Sequence, residues 1–429
     1  MSRAPGTLRR ALSHRDFRLL FSGQVISSIG DQIFPVAVTV QVLDHHGTAG
    51  QLGVVLAARF ASLVLFAMLG GVWADRLPRV LVLIGADVTR LLAVLGLAAV
   101  MTGTTSIAVL ASLVFFVGAG EAFFRPAYGA LLPSVLPPED LAGGNALSGS
   151  TFHFASIVGP GIAGLLAATM GPRGAMLVDA GTFGVSLLTL VRVKEPPRVL
   201  KARQRIHVEV AEGIMAVRRR PWIAVVLLMA MVQLLLAVPA TSVLLPKLVH
   251  DSHHPTAQYG YILAIGAVGG LIGSLVAGHS NPRNRGLIGM LSLLLLTAEP
   301  LAVLANAPSW GLAAAWFVAS LGLGPFLVYW ETALQQDVPG DLLARVISLD
   351  WMCSFALMPL GLATIGPAID TFGRTTMLLI SAGACVLPPL LCLPVRGIFE
   401  FRTPGSSGTR DAAEPSDSSQ GDPVPVEAQ

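Results

Sequence analysis

The residues able to do chemistry in this chain are charged ones placed where charge is expensive. Asp31, Asp87, Arg90, Glu121, Arg125, Asp179, Glu331 and Asp350 each interrupt a long apolar run. An ionised side chain at the centre of a bilayer costs at least about 2.5–3.5 kcal/mol, so each of these must find a partner or serve a purpose. Glu121 and Arg125 are four residues apart, acid first, which puts them on one helix face as an ion pair. Asp87 and Arg90, three apart, make a second pair, and both pairs can be purely structural. Asp31 differs, because no base lies within four residues of it. A carboxyl unpaired against an apolar wall can bind and release a proton as its access alternates. Arg59 is the base that can reach Asp31 across helices. The competing role for Asp31 is a packing device bonded to Ser27, Ser28 or Gln32. Asp31 and Glu121, with Arg125 and Arg59, are therefore the candidates for proton coupling.

Only membrane helices can position such residues. Of the 429 residues, 53% are apolar and 12% charged, against about 25% charge in a soluble protein. The apolar runs are about 20 residues long, enough to cross roughly 30 Å of hydrocarbon as helices. They are continuous rather than alternating, which excludes an outer-membrane barrel. The expected fold is all-α and polytopic, with twelve spans near 18–43, 50–74, 80–101, 107–132, 142–170, 174–192, 222–248, 257–279, 286–305, 309–335, 345–369 and 375–395. Around them lie a lead (1–17), a basic loop (193–221) and a tail (399–429) whose Ser, Gly, Pro and acid predict disorder. The six-span halves are 18–192 and 222–398.

Charge asymmetry orients the spans. Twenty-two of the 28 Lys and Arg fall in segments on one side, and only Arg173 and Arg374 on the other. By the positive-inside rule both termini and the basic loop are cytoplasmic, in the cell (inner) membrane. Within that loop Val208 to Arg218 places acids early and bases late, which suits a short helix lying on the anionic inner leaflet. The loop lacks the interleaved aromatics of a nucleic-acid surface. Sequence pairs recur between the halves: Pro138-Glu139-Asp140-Leu141 with Pro339-Gly340-Asp341-Leu342, and Met176-Leu177 with Met377-Leu378. Two parallel six-helix pseudo-repeats with a site between them are the build of a secondary transporter.

The turn Gly71-Val72-Trp73-Ala74-Asp75-Arg76-Leu77-Pro78-Arg79 joins the second and third spans. It resembles the signature of the major facilitator superfamily, and the resemblance covers about residues 15–398. Gly278 to Arg283 is a worn second copy, with Pro282 in place of the acid. Gly159-Pro160-Gly161-Ile162-Ala163-Gly164 is similar to the Gly-Pro-x-x-Gly-Gly signature of drug–proton antiporters. The tone of the first half is closest to the branch containing enterobactin and macrolide exporters. The resemblance implies a gate built from Gly71, Asp75, Arg76 and Arg79, with Asp75 against the eleventh span near Arg345 to Asp350. It implies a hinge at Gly159, Pro160 and Gly164, and a monomer. In the fourth span Gly118 and Gly120 match the antiporter motif, whereas Val114 and Val117 replace its Arg and Gln.

Aromatic and amide side chains supply candidate cavity walls: Phe34, Phe124, Tyr128, Gln233, Tyr329 and Trp330. A greasy cavity with few fixed donors suits bulky amphipathic compounds. No Walker motif is present, which disfavours an ATP-driven pump. His250, His253 and His254 read as a solvated loop rather than a metal site, and no cofactor is expected. The ionisable residues do not gather as a hydrolytic cluster, which disfavours an enzyme. The expected function is secondary efflux of hydrophobic or amphipathic small molecules by proton antiport. The alternatives are a dedicated siderophore or secondary-metabolite exporter and, more remotely, a transport-inactive sensor or scaffold.

Overall fold

The computed structural model describes residues 4–102, 105–196, 206–251, 257–280 and 282–402, and among these every regular element is helical. A backbone in hydrocarbon must satisfy its own N–H and C=O groups, and a helix does so within one segment. Eleven stretches are long and apolar enough to cross a membrane. One of them, Gly143–Leu190, is two spans in one. Its helix, Leu141–Leu190, is broken at Gly171, whose φ of 71° and ψ of 172° are not helical. Twelve crossings result, in agreement with the expectation from the sequence.

After a short amphipathic α1 (Ala4–Ser13), the first half comprises α2 (Arg15–Asp44), α3 (Ala49–Arg76), α4 (Arg79–Val100), α5 (Ile107–Val135) and α6 (Leu141–Leu190). Thr48 starts α3 with a reciprocal cap: its hydroxyl accepts from the Gln51 amide at 3.2 Å, and its own amide donates to the Gln51 side chain at 2.9 Å. α7 (Ile206–Arg218) lies in the basic loop. The second half is more broken. Its seventh crossing is α8 (Pro221–Leu236) and α9 (Val238–Asp251), followed by α10 (Ala257–His279). The ninth crossing is α11 (Arg285–Ser292), a 3₁₀ stretch (Leu293–Thr297) and α12 (Ala298–Leu304). Then come α13 (Ser309–Asp337), α14 (Gly340–Ala356) with α15 (Met358–Phe372), and α16 (Arg374–Cys392).

The two halves share a core at one end only. At the end that carries the α2–α3 turn, Val38, Leu52, Val55, Leu97 and Met176 of the first half pack in one cluster with Ala240, Val243, Met358 and Leu362 of the second. At the opposite end, that of the α3–α4 hairpin, each half has its own cluster. One is built on Leu83, Phe124 and Leu131, the other on Trp222, Phe326 and Trp330. The halves are thus sealed at the first end and part toward the hairpin.

Two expectations for the flanking segments change. Residues 399–402 belong to the packed second half rather than to a disordered tail. Phe401 is fully buried against the rings of Trp222, Phe326 and Trp330 at 5.7, 6.3 and 6.0 Å. The Phe399 carbonyl accepts from the Gly286 and Leu287 amides, capping the otherwise orphaned start of α11. The rest of the tail call, 403–429, lies outside the described residues. α7, expected on the leaflet, packs on α14 instead. Ala216 and Val217 join the second half's core, and Glu212 forms an ion pair with Arg345. Ile214 and Met215, on the side turned away from that core, stay exposed.

Truncating Phe401 leaves a cavity among three aromatic rings. Phe401→Ala should lower stability by about 3–5 kcal/mol, seen as a large drop in the melting temperature of the detergent-solubilised protein. An unchanged melt would contradict the packing described.

Candidate functional site

The ionisable side chains of the first half converge near mid-membrane from five helices. Glycines permit it. A Cβ on Gly118 of α5 would fall 2.4 Å from the Arg59 carbonyl of α3, and one on Gly120 would fall 2.5 Å from Arg90 Cγ of α4. Only a residue without a side chain lets α3 and α4 approach α5 so closely.

Glu121 sits between two guanidiniums. Arg59 donates to its Oε2 from Nε at 3.1 Å and Nη2 at 2.9 Å, and Arg125 donates to Oε1 from Nε at 3.0 Å and Nη2 at 2.6 Å. Four charge-assisted bonds offset the cost of burying the carboxylate. Arg125 is 48% exposed and lies over the Trp351 ring of α14 at 5.3 Å, so this triad faces the gap between the halves. Beside that contact Phe60 of α3 stacks on Phe355 of α14 at 6.0 Å.

The second group centres on Arg90, which is almost wholly buried. Its Nη2 donates to Asp87, and its Nη1 donates to Asp31 at 3.2 and 3.4 Å. Ser186 of α6 donates to the other Asp87 oxygen at 2.6 Å. The guanidinium lies between the rings of Phe124 and Phe183 at 4.4 and 4.6 Å, a cation–π sandwich in a dry site.

The local pairs read from sequence, Glu121–Arg125 and Asp87–Arg90, are both present. The reading of Asp31 as unpaired is overturned: its partner is Arg90, fifty-nine residues away. Arg59 reaches Glu121 instead of Asp31. A spacing rule within one helix finds neither, because both bonds cross between helices. Asp179 is fully buried on α6, and Oδ2 of its carboxyl has no partner.

The hairpin is partly described. The surroundings of Gly71 and the side chain of Asp75 lie outside the described residues, so the Asp75 gate remains an expectation. Arg76 is exposed, whereas Arg79 donates to the Ala130 carbonyl at 2.6 Å and ties the start of α4 to the end of α5. The Gly159-Pro160 segment is helical, and the non-helical break falls at Gly171. These residues pack closely: a Cβ on Gly159 would meet Gln32 of α2 at 2.5 Å, and Gly164 faces Gly260 of α10 with its own at 3.0 Å. The second contact belongs to the seal between the halves.

Most of the expected cavity walls are core in this structure. Phe124, Tyr329 and Trp330 are buried in the clusters of their own halves, Phe34 is buried in the cluster the two halves share, and Gln233 is buried with no partner for its Nε2. Tyr128 is half-buried, its hydroxyl 3.1 Å from that of Ser148. Trp330 donates to Asp350 at 3.2 Å, and Trp351 is 52% exposed. Glu299 was missed. It sits where the 3₁₀ stretch returns to α-helix, bonded to Thr241. Its signal was available: a single acid in the apolar run Leu293 to Leu304.

Two membrane-embedded halves, joined at one end and parted at the other around buried ion pairs, define an alternating-access secondary transporter. The sequence profile of the Major Facilitator Superfamily matches residues 20–362, and the chain belongs to that superfamily. It is 28% identical over 397 residues to the multidrug efflux pump Tap of Mycolicibacterium fortuitum, covering 89% of this chain and 94% of that one. It is 25% identical to macrolide efflux protein A of Streptococcus pyogenes (88% and 95% covered). It is 28% identical to the enterobactin exporter EntS of Escherichia coli O81 (79% and 81%). Among solved structures, a bacterial homologue of ferroportin in its inward-facing state superposes with a TM-score of 0.70 at 19% identity, covering 89% of this chain and 98% of that one. A D-xylose–proton symporter does so with 0.69 at 15% (90% and 98%). The chain is thus an efflux-type transporter and not an enzyme.

Removing one partner of a dry ion pair strands the other. Arg90→Ala should cost about 3–5 kcal/mol. Arg125→Ala should cost far less, because Arg125 is half exposed and Glu121 keeps Arg59. Thermal melts of the two variants test the difference, and equal losses would refute the burial argument.

Proposed function

We propose that the protein exports hydrophobic or amphipathic small molecules from the cytoplasm in exchange for protons. It spans the inner membrane with both termini cytoplasmic. In that orientation the described state is closed to the outside and parted toward the cytoplasm, ready to receive a compound from within. The observation that carries the reading is the Glu121–Arg59–Arg125 triad facing the gap, with Asp31 one helix away on Arg90. Carboxylates held by guanidiniums can trade partners as the halves rock, and a carboxylate released from its arginine is free to take a proton. The relatives' efflux of drugs and macrolides supports the direction and the class of cargo. The working units are residues 18–192 and 222–402 as rocking bodies, the second extended past the expected 398 by its packed end, with Asp75 of the hairpin as the cytoplasmic gate and a monomer as the working form.

Export of a siderophore is the second reading, favoured by the enterobactin exporter among the relatives and by the half-exposed Arg125, which suits an anionic cargo.

Expression in an efflux-deficient bacterium should lower accumulation of ethidium and of a macrolide. In inverted vesicles an acid interior should drive uptake, and Asp31→Asn should abolish that drive. Intact pH-driven transport by Asp31→Asn would remove Asp31 from the coupling. Secretion of a catecholate chelator without any effect on ethidium or the macrolide would favour the second reading.

A further inference from the structure

We propose that Asp179 carries a proton, which it exchanges with the cavity through Asp31 as Arg90 changes partner. The proposal rests on the antiport reading and adds a second proton site to it.

Asp179 lies on the second part of α6, packed against Gly30, the chain neighbour of Asp31 on α2. A Cβ on Gly30 would come within 2.5 Å of Asp179 Oδ1 and 2.2 Å of the Thr182 hydroxyl, so glycine at 30 is what makes room for the carboxyl. Thr182 offers little: its hydroxyl is 2.7 Å from the Asp179 backbone carbonyl and 3.4 Å from Oδ1. Oδ2 is buried with no hydrogen-bond partner.

The charged groups around Asp179 are few. Asp31 acts on it from α2, Arg90 from α4 and Arg59 from α3; Asp87 of α4 is bonded to Arg90, and Glu121 of α5 holds Arg59. Arg90 is near, since its guanidinium lies over Phe183, one turn beyond Asp179 on the same helix. Yet both its terminal nitrogens are committed, one to Asp87 and one to Asp31. Two of the three carboxyls therefore hold the guanidinium, whose Nε has no partner, and Asp179 is the one left out. A dry carboxylate with no cation and a bare oxygen is the costliest of the possible states, and a proton on the carboxyl removes the charge.

The route to water is Asp31. Its side chain is 29% exposed, whereas Asp87 and Asp179 are fully buried. When Arg90 turns from Asp31 to Asp179, the O–H bond of Asp179 breaks and its proton passes to the freed Asp31 carboxylate. Asp179 is then the carboxylate paired with Arg90, and Asp31 is the neutral acid. Asp31 next gives the proton to cavity water. Net charge within the group is unchanged until that last step, and Asp87 anchors Arg90 throughout.

Infrared spectroscopy of the full chain in lipid tests this without a substrate, because a protonated carboxyl has a C=O stretch that a carboxylate lacks. With aspartate carboxyl carbons isotopically labelled, the wild type should show a labelled C=O band at neutral pH, and Asp179→Asn should lose it. The same variant should lose pH-driven ethidium accumulation in proteoliposomes while keeping ethidium exchange at equal pH. A wild type without the band, or a band kept in Asp179→Asn, overturns the proposal. A lost band with intact accumulation makes the proton structural and overturns the coupling. If the wild type exchanges ethidium but a pH gradient does not drive it, the antiport reading itself fails, while the band still reports whether Asp179 is protonated. Should Asp179→Asn not fold, Thr182→Val must shift the band, since it changes the bonding of Oδ1; an unshifted band overturns the assignment.

Discussion

The constraint on which this structure depends is the cost of charge in hydrocarbon. Arg90 and Glu121 are almost wholly buried, and neither is tolerable there alone. Arg90 needs Asp31 and Asp87, and Glu121 needs Arg59 and Arg125. Those bonds tie α2 to α4 and α3 to α5 at mid-membrane, and Ser186 adds α6 to the first pair through Asp87. Hydrophobic burial does not drive helices together inside lipid, so packing and polar bonds must do it. In the first half the polar bonds also fix the register. A slide of one helix by a turn, about 5.4 Å, would break them together.

The same bonds are suited to function because they are exchangeable. A guanidinium has several donors in a planar fork and can transfer from one carboxylate to another without being left bare. The packing is arranged to let that happen. The cores of the two halves are continuous at the α2–α3 end and separate at the hairpin end, so rocking about the shared core opens or shuts one side. The second half contributes broken helices to this motion: the α8–α9 and α14–α15 joints and the 3₁₀ turn before Glu299 interrupt three of its crossings. The first half is held by charge, and the second is jointed.

Much of this was legible in the chain. The spans and the two pairs within single helices follow from length, hydropathy and spacing, which are local properties. So does the break at Gly171, which falls between the expected spans 142–170 and 174–192. The burial of Phe401 does not, because it is one aromatic residue past the last span. The aromatic walls were misplaced for a related reason. Composition shows that rings are abundant but not which way they point, and Phe124, Tyr329 and Trp330 lie in the cores of their own bundles.

By itself the sequence determined the class of protein, because the need to bury backbone in lipid leaves one solution for apolar runs of this length. It determined the superfamily and the efflux branch, through residues in the hairpin and in α6 that stand at fixed spacing. Only the tertiary structure decided who pairs with whom. Asp31 meets Arg90, Arg59 meets Glu121, and Asp179 meets no cation, because those partners lie on different helices. Their distance is set by how closely glycines such as Gly30, Gly118 and Gly120 let the backbones approach. A residue's chemistry can be read along the chain, but a buried charge acquires its role from its nearest neighbour in space.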